Sequence, residues 1–240
     1  MPRVPNADHQ WIAWCLDAGA SAIMLPHVRI YGSEAELPAD AQSETVEQAE
    51  AMVRAAKFPN VSCLHRPIVR TPDRHSHQGG GKRSFPPAAL AIGINDGVPA
   101  GKSPFDVWNN AAIIMQIESK VGCDNAEAIA AVEGVDCLMI GNGDLRMDLG
   151  LPPGLDGPEE SYNKALQQVI DAGRKHNRPV LTFTGGPGQV EKRLKQGFSA
   201  FMVGSDAFAI GGAMRQTYQQ SYDELKGWQK AGSLVEGCQY

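Results

Sequence analysis

Long apolar runs are missing: no stretch of this 240-residue chain approaches the roughly 18 residues that a membrane-spanning helix needs. The amino terminus, MPRVPNADHQ, lacks a basic segment leading into an apolar one, so no secretory signal is expected there. Cysteine is scarce. The five present, Cys15, Cys63, Cys123, Cys137 and Cys238, are an odd number without a C-x-x-C pair, which argues against a disulfide framework and a zinc knuckle. Nor is there an excess of basic charge: 22 Lys and Arg stand against 27 Asp and Glu, giving a net charge of -5 spread along the chain. Without a basic stripe to neutralise a phosphate backbone, nucleic acid is not an expected partner. These absences predict a cytoplasmic, non-membrane protein with reduced thiols.

What is there is an alternation of helical and strand-like segments. Helical spacing of apolar residues covers 10–18, and Gly19 supplies a stop. The short apolar run SAIMLP (21–26) then reads as a buried strand. A helix follows in VEQAEAMVRAA, from about Thr45 to before Pro59. Strands are predicted at 112–117, 135–140, 179–183 and 200–203, with helices at 125–132, 159–176, 189–196 and 206–226. Alternation of this kind implies a parallel sheet with helical crossovers. The length suits one α/β barrel domain spanning residues 1–240.

Five strands are fewer than the eight of a closed barrel. The chain starts in the middle of a strand–helix cycle, with Arg3 placed as though it followed a strand. Either an open sheet or a barrel lacking its first strands is expected. The stretch from Pro59 to Pro104 mixes Pro, His, Arg and Gly without period, an unusual length for a structureless loop.

The chemistry concentrates in two places. Gln116-Ile117-Glu118 ends one predicted strand, and Gly141-Asn142-Gly143-Asp144 ends the next. Parallel α/β barrels carry their active sites at the carboxyl ends of strands, so two adjacent strands ending in acids bring two carboxylates to one mouth. Two hard oxygen ligands with room for water suit Mg²⁺ or Mn²⁺ rather than a closed zinc site. A purely structural reading stands beside it on even terms, with Glu118 and Asp144 as acids at helix amino termini. Gly141 and Gly143 let the backbone approach a ligand, although glycine-rich turns also occur for steric reasons alone. The other place is Arg3, whose guanidinium can pair with a carboxylate and stabilise enolate charge; beside a chain terminus, arginine is more often solvated.

Six histidines carry no spacing that compels a role. His27 follows a strand, His9 begins a helix, His176 ends one, and His65, His75 and His77 fall in the irregular stretch. The turn Gly185-Gly186-Pro187-Gly188 suggests a phosphate site, to which little weight attaches because Pro187 removes a donor and no basic residue stands beside it.

Four segments, RVPNADHQWIAWCLDAGASAIMLPHV, GKRSFPP, QIESKVGCDNAEAIAAVEGVDCLMIGNGDLRMDLG and GFSAFMVGSD, together resemble the HpcH/HpaI aldolase family. ETVEQAEAMV and GKRSFPP are most similar to its macrophomate synthase-like branch. The resemblance implies a TIM (β/α)8 barrel of the phosphoenolpyruvate/pyruvate type, here lacking its first strands. It further implies a class II aldolase using a divalent metal, Mg²⁺, Mn²⁺ or Co²⁺. Glu118 and Asp144 match the metal ligands, Gln116 the polar residue beside them, and Arg3 the arginine that stabilises the pyruvate enolate. The backbone of Gly143 and Asp144 matches the amides that hold the pyruvate carboxylate. Implied substrates are 4-hydroxy-2-oxo acids, made from or cleaved to a 2-oxo acid and an aldehyde, with oxaloacetate decarboxylation as a neighbouring activity. The implied assembly is a homo-oligomer, typically a hexamer with exchanged C-terminal helices.

Two segments depart from the family, near 28–43 and 60–79, and their ends look like translated intron boundaries. The histidine base expected from the family belongs to a strand preceding Arg3. A second function therefore stands beside the first: a catalytically impaired remnant that binds metal and 2-oxo acid or associates with a full-length homologue.

Overall fold

The computed structural model describes residues 1–5, 8–26, 44–58, 81–83, 100–101, 108–184 and 188–230. The two departing segments, His27, His65, His75, His77 and residues 185–187 of the glycine turn lie outside them. The chain divides into two compact units, Met1–Phe201 and Met202–Tyr240.

The described elements run α1 (His9–Asp17), β1 (Ala22–Leu25), α2 (Val46–Ala56), β2 (Ala112–Ile117), α3 (Lys120–Ala131), β3 (Cys137–Ile140), α4 (Asn142–Asp148), α5 (Glu160–Lys175), β4 (Val180–Phe183), α6 (Gln189–Gln196), β5 (Ala200–Met202) and α7 (Asp206–Lys230). The strands lie in the order β1-β2-β3-β4-β5, with parallel register established from β1 to β4. Spatial order that follows sequence order is what successive strand–helix crossovers of one hand produce, and it is the order of a (β/α)8 barrel. All five predicted strands are present.

Period two divides the strand residues between two faces. Ile23, Leu25, Ile113, Met115, Ile117, Leu138, Ile140 and Val180 join the main apolar core with the helices. Met24, Ile114, Gln116, Met139 and Leu181 are buried but belong to the opposite face. Burial on both faces explains why these strands read as continuous apolar runs. Gln116 is the polar residue in that second set, and its position in the register puts it beside Met139 of β3.

Local chemistry sets the helix starts. Thr45 caps α2 by accepting a hydrogen bond from the Gln48 amide at 3.3 Å, and the Gln48 side chain reaches back to the Glu44 amide at 2.7 Å. This is a capping box displaced by one residue at its return arm. From there Ala49, Met52, Val53 and Ala56 form one buried stripe. Ser119 caps α3, its hydroxyl accepting from the Gly122 amide at 2.9 Å. The helix therefore starts five residues before the position near Asn125 read from the sequence.

The helix α4 had no predicted range, and a helix start was expected there only through Asp144 as an acid at a helix amino terminus. Its first residues, Asn142 and Gly143, are poor helix formers. Tertiary contacts decide the matter: Leu145 and Arg146 are buried, and Asn142 Nδ2 donates to Thr182 Oγ1 of β4 at 3.0 Å. In the second unit, α7 carries exposed apolar side chains at Phe208, Ile210, Met214, Tyr218, Tyr222 and Leu225. Among the described residues no helix is long and apolar enough to cross a membrane.

Candidate functional site at the ends of two adjacent strands

Gln116 is the penultimate residue of β2, and Glu118 follows the strand. A spacing of two puts both side chains on one face. They meet there: Gln116 Nε2 donates to Glu118 Oε2 at 2.6 Å, and both residues are buried. Gln116 Oε1 is buried too and has no hydrogen-bond partner among the described residues. Glu118 does not cap α3, since Ser119 holds that position. The helix-cap reading of Glu118 is thereby replaced by a buried carboxylate on the sheet face.

The neighbouring strand β3 runs into Gly141, whose amide donates to the Ile117 carbonyl at 3.0 Å. A Cβ on Gly141 would stand 2.2 Å from Glu118 Oε2 and 2.6 Å from Gln116 Nε2. Glycine is thus required here by close approach rather than by backbone angle, which is an ordinary φ of -84°. The Glu118 carboxylate lies against the β3–α4 turn, three residues before Asp144 in sequence.

Asp144 occupies the first turn of α4 and is exposed. An acid in that turn is favoured by the helix dipole, so the structural role foreseen for Asp144 coexists with its availability as a ligand. Gly143 and Asp144 both belong to the first turn, where amide N–H groups have no intrahelical acceptor. The far end of α4 is tied to the β2 side of the site, because Asp148 Oδ2 accepts from the Lys120 amide at 2.8 Å. Glu118 and the helix bearing Asp144 are therefore held by one connected set of turns.

Arg3 sits farther away. It forms a parallel bridge with Met24, backed by bonds from the Val4 amide to the Met24 carbonyl at 2.9 Å and from the Met24 amide to Pro2 at 3.0 Å. Met24 is in register with Ile114, so Arg3 shares the sheet face of Gln116 and lies two residues below its level. With β1 between them, the backbones of Arg3 and β2 are about 10 Å apart, two strand spacings. The Arg3 side chain is exposed.

The sequence did not single out Glu44, which is 2% exposed and packs against the same strand end. Its Oε1 accepts from the Glu118 amide and its Oε2 from the Ser119 hydroxyl. Burial pushes its carboxyl up to about 7, against the lowering effect of those two hydrogen bonds. The Thr45-x-x-Gln48 box marks this helix start in the sequence, but the partner of the acid is 74 residues away. No local pattern reveals that distance.

Behind α4 a second polar cluster secures the following loop. Arg146 makes a forked pair with Glu159, Nη1 to Oε2 at 2.6 Å and Nη2 to Oε1 at 2.8 Å, and its Nε reaches the Pro152 carbonyl. The Arg146 hydrogen bonds hold the Glu159 carboxyl down at about 2. Asp156 accepts from Lys192 and approaches Arg193 at 3.5 Å, joining the loop to α6. Of the described histidines, His9 Nε2 lies 2.7 Å from the Lys82 carbonyl oxygen, and His176 closes α5.

Comparison with known proteins agrees with this architecture. A 117-residue stretch is 35% identical to 5-keto-4-deoxy-D-glucarate aldolase of Klebsiella pneumoniae subsp. pneumoniae, covering 49% of this chain and 43% of that protein. The enzyme of the same description from Shigella boydii serotype 18 is 34% identical over an equal span. The matched stretch thus covers less than half the length of these curated relatives. Among solved structures, a HpcH/HpaI aldolase/citrate lyase family protein from Burkholderia cenocepacia J2315 superposes with a TM-score of 0.62 at 27% identity, over 92% of this chain and 72% of that one. Macrophomate synthase gives the same TM-score and identity over 94% of this chain and 66% of its own. The five parallel strands are the shared part of an α/β, TIM-barrel-like framework. Its family model, described as HpcH/HpaI aldolase/citrate lyase, matches residues 1–211, and the chain belongs to that family.

Proposed function

We propose that this chain is a divalent-metal-dependent carbon–carbon lyase that makes or cleaves 4-hydroxy-2-oxo acids through a pyruvate enolate, with oxaloacetate decarboxylation as a neighbouring activity. The observation that carries the reading is the buried Gln116–Glu118 pair against Gly141. A buried carboxylate with an orphaned amide oxygen at its side fits a hard cation that takes oxygen ligands and keeps water. Glu118 and Asp144 are the proposed ligands. No three Asp, Glu, His or Cys side chains converge among the described residues, and two carboxylates completed by water and substrate need no third. The cation, Mg²⁺, Mn²⁺ or Co²⁺, would act as a Lewis acid on the substrate carbonyl.

The chain's own residues divide the rest of the work. Gln116 orients the Glu118 carboxylate through its Nε2 and keeps Oε1 available inside the site. The first-turn amides of Gly143 and Asp144 are assigned to the substrate carboxylate. Arg3, on the same sheet face, is assigned to the negative charge that develops on the enolate oxygen. The substrate class follows the names of the relatives: a keto-acid aldolase and macrophomate synthase. The apolar side chains exposed on α7 support association of copies into a homo-oligomer, a hexamer by family resemblance. The second reading, a chain that binds metal and 2-oxo acid without turnover or associates with a full-length homologue, is favoured by the engagement of His9 Nε2, among the described residues, with the Lys82 carbonyl.

The test is release of pyruvate from a 4-hydroxy-2-oxo acid and from oxaloacetate, with Mg²⁺ or Mn²⁺, beside Glu118→Ala. Turnover above the metal-only background that disappears in the variant supports the lyase. Metal binding lost in the variant, but no turnover by the parent chain, supports the second reading. Absence of metal binding by the folded parent overturns both.

A further inference from the structure

Glu44 combines three features. It is a non-glycine residue at φ 76°, in the left-handed region that side chains other than glycine rarely adopt. Its carboxyl is buried. Every polar group it owns is engaged: the amide donates to Gln48 Oε1 at 2.7 Å, and the carbonyl accepts from Asn125 Nδ2 at 3.1 Å. Its carboxyl oxygens take the Glu118 amide and the Ser119 hydroxyl. A strained backbone persists where surrounding bonds over-determine it, and such places gather at functional sites.

The surroundings are shaped for this side chain. A Cβ on Gly122 would stand 1.9 Å from Glu44 Oε2, so a glycine in the first turn of α3 opens the space the carboxyl occupies. Ser119 gives its proton to Glu44 and uses an oxygen lone pair for the Gly122 amide. A chain of bonds therefore runs from Glu44 through Ser119 into the start of α3. The other arm grips the backbone of Glu118, whose side chain meets Gln116 two residues earlier in sequence.

We infer that Glu44 is a positioning residue: it fixes the Glu118–Ser119 turn so that the Glu118 carboxylate is presented beside Gln116 and Gly141 in the orientation that a metal requires. This rests on the metal-site reading above. Partners one step removed from a ligand orient it, and removing them lowers metal affinity by about 10–100-fold. A carboxyl that served the fold alone would change the melting temperature and leave the affinity of the folded protein untouched.

The experiment is direct titration of the full chain with Mn²⁺, with folding of each protein checked by circular dichroism. Wild type, Glu44→Ala, Glu44→Gln and Glu118→Ala are compared. The expected result is a Kd for Mn²⁺ raised at least about tenfold in E44A and restored most of the way in E44Q, which keeps one oxygen acceptor and the shape. Folded E44A and E44Q that bind Mn²⁺ as wild type does, while E118A does not, would overturn the positioning role and leave the metal site standing. If E44A does not fold, Glu44→Met, which keeps the bulk of the side chain but no oxygen acceptor, decides: a weakened Kd against an intact helix signal supports the role, and an unchanged Kd overturns it. Wild type that binds no Mn²⁺ removes the metal-site reading itself and this inference with it.

Discussion

Gln116 Nε2 and Glu118 Oε2 are 2.6 Å apart because a strand returns to the same face every second residue, and the pair is enclosed because the residue that follows β3 beside it, Gly141, is glycine. Side-chain direction comes from β2, and the space for the carboxylate comes from Gly141. Neither strand alone makes the site.

Gly141→Ala tests that enclosure. The added methyl would stand 2.2 Å from a Glu118 oxygen and must displace the carboxylate or shift the β3–α4 turn. Mn²⁺ affinity and any lyase rate should fall at least about tenfold, the range seen when the shell around a metal is disturbed, with secondary structure kept. Titration beside a circular dichroism spectrum checks this; unchanged affinity would mean that Glu118 does not act from this position.

Thr182→Val tests what holds α4 in place. Thr182 is fully buried, and Asn142, the first residue of α4, is 3% exposed; the Asn142 Nδ2 donor loses its acceptor in the variant. Leaving a buried donor unmade costs about 1–3 kcal/mol. Urea unfolding should show a lower midpoint by that measure, and metal affinity should weaken if α4 carries Asp144 into the site. A midpoint equal to wild type would deny the pair its anchoring part.

Acid stability should report the Arg146–Glu159 fork. Its hydrogen bonds hold the Glu159 carboxyl at about 2, below its ordinary 4.5. A depressed carboxylate gives stability that is present in full above about 4.5 and is lost as pH falls through that window towards 2. The difference in urea midpoint between wild type and Glu159→Gln should therefore be largest near neutrality and shrink from pH 4.5 to pH 3. A difference independent of pH would assign the effect to shape rather than charge.

Several elements were legible because their signals are local. The strand Ala112–Ile117 is a run of apolar residues broken by Gln116, and it forms as read. Helix α6 (Gln189–Gln196) also has the predicted bounds, with Gly197 in the left-handed conformation that ends it. Less legible was α3, whose early start depends on Ser119 as cap. Gly122 in its first turn leaves the space occupied by Glu44, a contact from another element that no local pattern reveals.

The sequence by itself determined the alternation of strands and helices, the parallel arrangement, and the placement of Gln116, Glu118 and Asp144 at the ends of adjacent strands. Periodicity and chain order are enough for these, since both are properties of neighbours along the chain. Tertiary structure decided that, of the two readings of Asp144, a helix would begin at Asn142 and Gly143, through a hydrogen bond to β4 that offsets their poor propensity. It also decided that Glu44 would support the Glu118 turn, because a contact across 74 residues leaves no periodic trace in sequence. Such contacts are fixed by packing, where burial makes each unpaired polar group costly and so selects the arrangement that pairs them.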